Sequence, residues 1–225
     1  MPLYFLILIK GWMMIKIDTF DKIEKKKSFT TIKGHVRIKQ ILSNAEIIFL
    51  TKGYSGLSMR GVASQANITL STLQHYFKNK DILLQALLNK LISDYKSRIE
   101  HLITMNLTEL PLNRFMNIIT NIFHEIEKPK VTKIFKEFFS ISDHLPYVHD
   151  ALTIIQNYNF DLMYKIILPI HDEISSKEYR DRAIIIITLL NGYLVQYSNN
   201  NKNECHKDFI RNILLKNISK LVSEP

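Results

Sequence analysis

The feature that most constrains this chain is the spacing of its apolar residues, which recur at intervals of three and four along most of its length. That spacing gathers side chains on one face of a helix, whereas a half-buried strand needs strict alternation. Only six glycines and six prolines interrupt 225 residues, so the chain is expected to be all-α. Ile38, Ile41, Leu42, Ala45, Ile48 and Phe49 form the first stripe, which starts at Arg37 and ends at Gly53, a residue type that closes helices by taking left-handed backbone. A short second helix follows, with Ser58 as its N-cap and Val62, Ala63 and Ala66 on its inner side. Asn67 closes it, Thr69 caps a third helix through Phe77, and Asn79 starts a long fourth one.

Proline at a first helical position opens three further helices at Pro111, Pro129 and Pro146, reaching to about Lys128, Ser140 and Ile170. Ser175, with Glu178 three residues on, opens a very apolar helix, and the last helix runs from about Cys205 to Ser223. "NNNKN", Asn199 to Asn203, reads as a loop.

Charge divides the chain in two. Residues 1 to 100 hold 16 Lys and Arg against 7 Asp and Glu, while residues 101 to 225 hold 14 against 14. A basic half beside a neutral half points to one part that meets a polyanion, either nucleic acid or an anionic membrane surface. Cys205 is the single cysteine, so no intrachain disulfide forms, and a reducing cytoplasm is the expected compartment. The apolar run Leu3 to Ile9 is shorter than the roughly 20 residues a membrane span needs, and it lacks the flanks of a secretory signal. Residues 1 to 17 read as an extension to the fold, with Met13 or Met14 as a candidate first residue; a docked helix and a membrane-surface anchor are the alternatives. Lys22, Lys25, Lys26, Lys27 and Lys33 form a basic arm, suited either to a DNA groove or to solvent.

The stretch "NITLSTLQHYFKNKD", Asn67 to Asp81, carries the chemistry. On a wheel at about 100° per residue, Leu73 and Phe77 share a packing side, while Ser71, Thr72, Gln74 and His75 make a polar arc. A polar arc alone is an ordinary solvated face. This one follows a short helix and a tight turn in a basic half-chain, and its amide, hydroxyl and imidazole groups can hydrogen-bond base edges in a major groove.

With Arg37, Ile41, Ala45, Phe49, Gly53 and Tyr54, and with "LSMRGVASQANITLSTLQHYFKNKDILLQA" following, residues 37 to 87 resemble the DNA-binding domain of TetR/AcrR-type bacterial transcription regulators. Two positions depart from the family's pattern. Asn67 stands where a turn glycine is usual, and Gln74 replaces a frequent tyrosine, which alters the bases read. The resemblance implies phosphate contacts for Ser58, Tyr76 and Lys80, the last where a helix N-terminus also favours an anion. It puts Arg60, Leu70, Ser71, Thr72, Gln74 and His75 where the family reads bases or flanking phosphates, with the cap Thr69 in the same DNA-facing set.

The implied architecture is an N-terminal three-helix helix-turn-helix domain at residues 34 to 80, joined by a long helix to a helical ligand-binding and dimerisation domain at residues 81 to 225. Residues 1 to 33 make the extension and arm. "LLNGYL", Leu189 to Leu194, resembles the family's penultimate helix, which pairs with the last helix across a two-fold axis. "AIIIITLL" is apolar all round and needs cover on every side, from a second copy or from its own fold. Phe115, Phe123, Phe138, Tyr158, Tyr164 and Tyr193 are candidate walls of a largely apolar effector pocket; ordinary core packing is the plainer role for each.

The implied function is a ligand-responsive DNA-binding regulator, a repressor that binds a near-palindromic operator as a dimer. An activator or constitutive binder of the same fold is the alternative, and a membrane-surface adaptor using residues 1 to 17 a remoter one. No HExxH, GxSxG, P-loop or GxGxxG occurs, so no enzyme is expected. No cofactor is expected either. His101, His124, His144, His149 and His171 contain no i, i+4 pair with a carboxylate partner, so no metal site is expected.

Overall fold

A computed structural model describes residues 32–106, 108–171, 174–198 and 204–224. The Asn199 to Asn203 loop, and all but the last two residues of the extension and arm at 1 to 33, lie outside the described residues. Every element among those described is a helix: α1 (Ile32–Gly56), α2 (Met59–Gln65), α3 (Leu70–Tyr76), α4 (Lys80–Met105), α5 (Pro111–Ile126), α6 (Pro129–Ile141), α7 (Pro146–Ile167), α8 (Ser176–Ser198) and α9 (Glu204–Ser223). The chain is all-α, as its apolar spacing predicts.

The first helix starts five residues before the expected Arg37 and continues past Gly53. Its first turn was hidden because Ile32 and Val36 point to solvent and the buried position there is Gly34, which has no apolar side chain to announce it. Gly53 takes φ 69°, ψ −172°, so the helix is kinked there and resumes for one short turn. An L-residue would meet steric resistance at that φ.

Two compact units emerge. One comprises the described residues up to Ile47 together with Ser58–Asn89. In it, Ile41, Leu42 and Ala45 of α1, Val62 and Ala63 of α2, Leu73 of α3 and Leu83, Leu84 and Leu87 of α4 are buried. Burying each leucine or isoleucine contributes about 1.5–3 kcal/mol. The other unit comprises Ile48–Leu57 and the chain from Lys90 onward. There α8 packs on α6, α7 and α9, and α5 packs on α6, α7 and α9. Phe115, Ile118, Ile119, Phe123 and Ile126 are all buried, one face of α5 at helical spacing. No described helix is long and apolar enough to cross a membrane.

Candidate nucleic-acid interface

The geometry of the interface follows from four local capping choices. Ser58 is extended at φ −135°, and its Oγ accepts the Gly61 N–H at 3.1 Å, which starts α2. At the other end of α2, Asn67 sits at φ 51°. Its N–H reaches Ser64 O at 3.1 Å, and the Ile68 N–H reaches Ala63 O at 3.0 Å. That pair of bonds is a Schellman closure, and asparagine tolerates the left-handed backbone it requires. Thr69 then accepts the Thr72 N–H at 3.1 Å and starts α3. Asn79 Oδ1 accepts the Ile82 N–H at 2.9 Å and starts α4.

These caps leave α3 seated by Leu73, fully buried, and by its C-cap Phe77, 2% exposed. Ser71, Gln74 and His75 are exposed, as are Ser58, Arg60 and Thr69; Leu70, Thr72, Tyr76 and Lys80 are half-buried. The structure thus brings the predicted DNA-facing residues into one compact unit, with the polar arc of α3 open to solvent along most of its length.

One arrangement was missed by the wheel. Thr69 Oγ1 lies 2.9 Å from Ser71 Oγ and 2.8 Å from Thr72 Oγ1, so the three hydroxyls already form a cluster. Three hydroxyl residues within four positions of a cap are the signal that could have revealed it. Ser71 and Thr72 therefore offer shared hydrogen-bonding capacity, whereas Gln74 and His75 lie beyond the cluster. The His75 ring meets the Tyr76 ring edge-on at 5.2 Å, which orients both. Burial lowers the Lys80 pKa, with neighbouring Asp81 opposing the shift. An anion beside the ammonium would stabilise its charged form.

The six candidate pocket aromatics separate into different ring contacts. Phe123 meets Tyr193 edge-on at 4.9 Å, Phe138 stacks with Phe49 at 5.0 Å, Tyr158 meets Tyr95 at 6.1 Å and Tyr164 meets Tyr179 at 6.3 Å. Phe115 is fully buried. A separate open groove of about 370 Å³ is lined by Ser97, Arg98, His101, Leu102 and Glu125. Tyr95 donates to Asn159 Oδ1 at 2.7 Å, and Lys96 Nζ lies 4.8 Å from the centre of the Tyr158 ring. Burial pushes the Tyr95 phenol up to about 12. Among the described residues no group of three or more His, Cys, Asp or Glu is placed to hold a metal ion.

Two short capped helices joined by a Schellman turn, the second seated on an apolar side and open on a polar one, define a helix-turn-helix DNA-binding protein. Residues 41–87 match the family of bacterial regulatory proteins named for tetR. Over this segment the chain is similar to the DNA-binding domain of the TetR family of transcriptional regulators. It is 26% identical over 172 residues to an uncharacterized HTH-type transcriptional regulator of Xanthobacter autotrophicus, covering 73% of this chain and 81% of that one. Solved structures agree in fold. One, described as a TetR-family regulator of Mesorhizobium loti, superposes with a TM-score of 0.70 at 14% identity, covering 84% of this chain and 96% of that one. A TetR-family regulator from Streptomyces coelicolor gives 0.68 at 15% identity, with 84% and 90% covered.

Proposed function

We propose that this regulator is a ligand-responsive repressor, acting in the cytoplasm as a homodimer on a near-palindromic operator. The observation that carries the reading is the exposed arc of Ser71, Gln74 and His75 on a helix seated by Leu73 and Phe77. Gln74 pairs with an adenine edge, and His75, Ser71 and Thr72 read more permissively. Ser58, Tyr76 and Lys80 hold phosphate, while Arg60, Leu70 and Thr69 flank the read bases. Residues 34 to 80 do this work, and residues 81 to 225 bind the effector and dimerise.

Exposed apolar side chains on the last two helices support dimerisation. Helix α8 buries Ala183, Ile186, Leu190 and Tyr193 but leaves Ile184 51%, Ile185 45% and Val195 51% exposed. Phe209 and Ile213 of α9 are exposed at 61% and 43%. A second copy covers this face in a symmetric bundle. The effector is small and largely apolar, received among the aromatic residues of the C-terminal unit. It acts by favouring one setting of α4, which begins at Lys80, and so changes the separation of the two recognition helices relative to half-sites one DNA turn or a multiple apart.

The decisive experiment is selection from a random duplex library at moderate salt, with sedimentation of the enriched complex. An inverted repeat bound by two protomers is the expected outcome. Enrichment of no sequence would sink the proposal, and a single half-site bound by one protomer would remove the dimer from it.

A further inference from the structure

Beside the kink at Gly53, Tyr54 takes a partner from 83 residues away. Just after the bend, the Tyr54 N–H donates to Glu137 Oε2 on α6 at 2.8 Å. The two carboxylate oxygens also fill the space beside Gly53: a Cβ built there would lie 2.7 and 2.8 Å from them. The next residue of α6, Phe138, stacks on Phe49 at 5.0 Å with planes 30° apart, and both rings are buried. Helix α6 thus grips the end of α1 twice, once by an aromatic stack and once by a carboxylate, and all five residues lie in the C-terminal compact unit. The stack is apolar and tolerates sliding. The carboxylate bond is directional, and a half-buried amide left without it costs free energy.

We propose that Glu137 is a positioning residue, a latch that fixes the kinked end of α1 and thereby sets the DNA-binding competence of the helix-turn-helix, whose first helix is that same α1. With the latch closed, α1 has one ending. With it open, the Tyr54 amide loses this hydrogen bond, and the helix end samples several arrangements. An effector that shifts α6 gains a handle on α1 that is separate from α4. The proposal rests on the reading of this protein as a regulator whose C-terminal unit controls DNA binding.

The test uses the full chain and the duplex that wild-type protein selects. Glu137→Ala removes the acceptor; Glu137→Gln keeps an oxygen that accepts the same N–H. Thermal melting establishes that each variant folds. If Glu137→Ala does not fold, Glu137→Asp, which keeps the charge but withdraws the oxygens, replaces it. The expected result is amide hydrogen exchange at Tyr54 about tenfold faster and operator affinity about fivefold or more lower in the Ala variant, with both largely restored in the Gln variant. Faster exchange with unchanged operator affinity would overturn the latch alone, as would unchanged exchange. A wild-type protein that selects no duplex would overturn the regulator reading and the latch with it.

Discussion

Arg211 Nη1 donates to both carboxylate oxygens of Glu127, at 2.6 and 2.8 Å, and so fastens the last helix to the end of α5. The Tyr193 hydroxyl donates to the same Oε1 at 2.5 Å, which brings α8 into the cluster. The two charged side chains are 14% and 19% exposed, so neither is readily compensated by water. Removing one partner of such a pair typically costs about 3–5 kcal/mol, whereas replacing both by apolar groups costs far less. Arg211→Met is therefore expected to lower unfolding free energy by about 3 kcal/mol, and Glu127→Met with Arg211→Met to recover much of that. Urea denaturation of the three proteins decides it; a single variant within about 0.5 kcal/mol of wild type would count against the tie.

Gln74 projects from α3 beyond the hydroxyl cluster of Thr69, Ser71 and Thr72. Gln74→Ala is expected to relax preference at one or two base pairs per half-site, by about 1–3 kcal/mol of discrimination. Selection profiles of wild type and variant provide the comparison. A uniform loss across all sequences would show that Gln74 does not read a base.

Lys80 stands at the start of α4 and is half-buried. Lys80→Gln should weaken binding to every duplex alike and shrink the slope of log affinity against log salt by about one per contact, about two for a dimer. Titrations between low and moderate salt measure the slope. An unaltered slope would place this ammonium away from phosphate.

Ile184 and Ile185 lie in an exposed apolar stretch of α8. Ile184→Glu sets like charges close to each other across the proposed two-fold interface, and dissociation to monomer is expected with the melting temperature of the monomer little changed. Sedimentation velocity at micromolar concentration is the measurement. A dimer that persists would move the interface to another surface.

Tyr95 provides a pH test. Burial raises its pKa to about 12 from an ordinary value of 10.0, so the folded state favours the neutral phenol. Its contribution to stability is whole below pH 10 and is lost as pH rises from 10 toward 12, because the unfolded chain releases that proton first. Burial raises the Tyr158 phenol as well, so phenolate absorbance should show two tyrosines ionising late in the folded protein, and Tyr95→Phe should remove the earlier of these two late steps. A variant that keeps it would assign the step to another tyrosine.

Local chemistry made much of this protein legible. The caps at Ser58, Thr69 and Asn79 and the turn at Asn67 each depend on one side chain and the few backbone groups after it, so sequence alone placed α2, α3 and the start of α4. The polar arc of α3 was readable for the same reason, since helical periodicity separates Leu73 from Ser71, Gln74 and His75 without knowledge of any partner. The aromatic residues were less informative. A buried phenylalanine looks the same in sequence whether it walls a pocket or packs a core, and only packing showed that Phe138 stacks on Phe49 while Tyr158 meets Tyr95.

The sequence by itself determined the helices, their order and the side of α3 that stays polar, because spacing and capping act over a few residues. Only the tertiary structure decided what Glu137, Glu127 and Arg211 do. Their partners stand 83, 66 and 84 residues away along the chain, at Tyr54, Tyr193 and Glu127. A carboxylate on an amphipathic helix reads as a solvated charge until folding brings it a donor, and no pattern of neighbours along the chain names that donor.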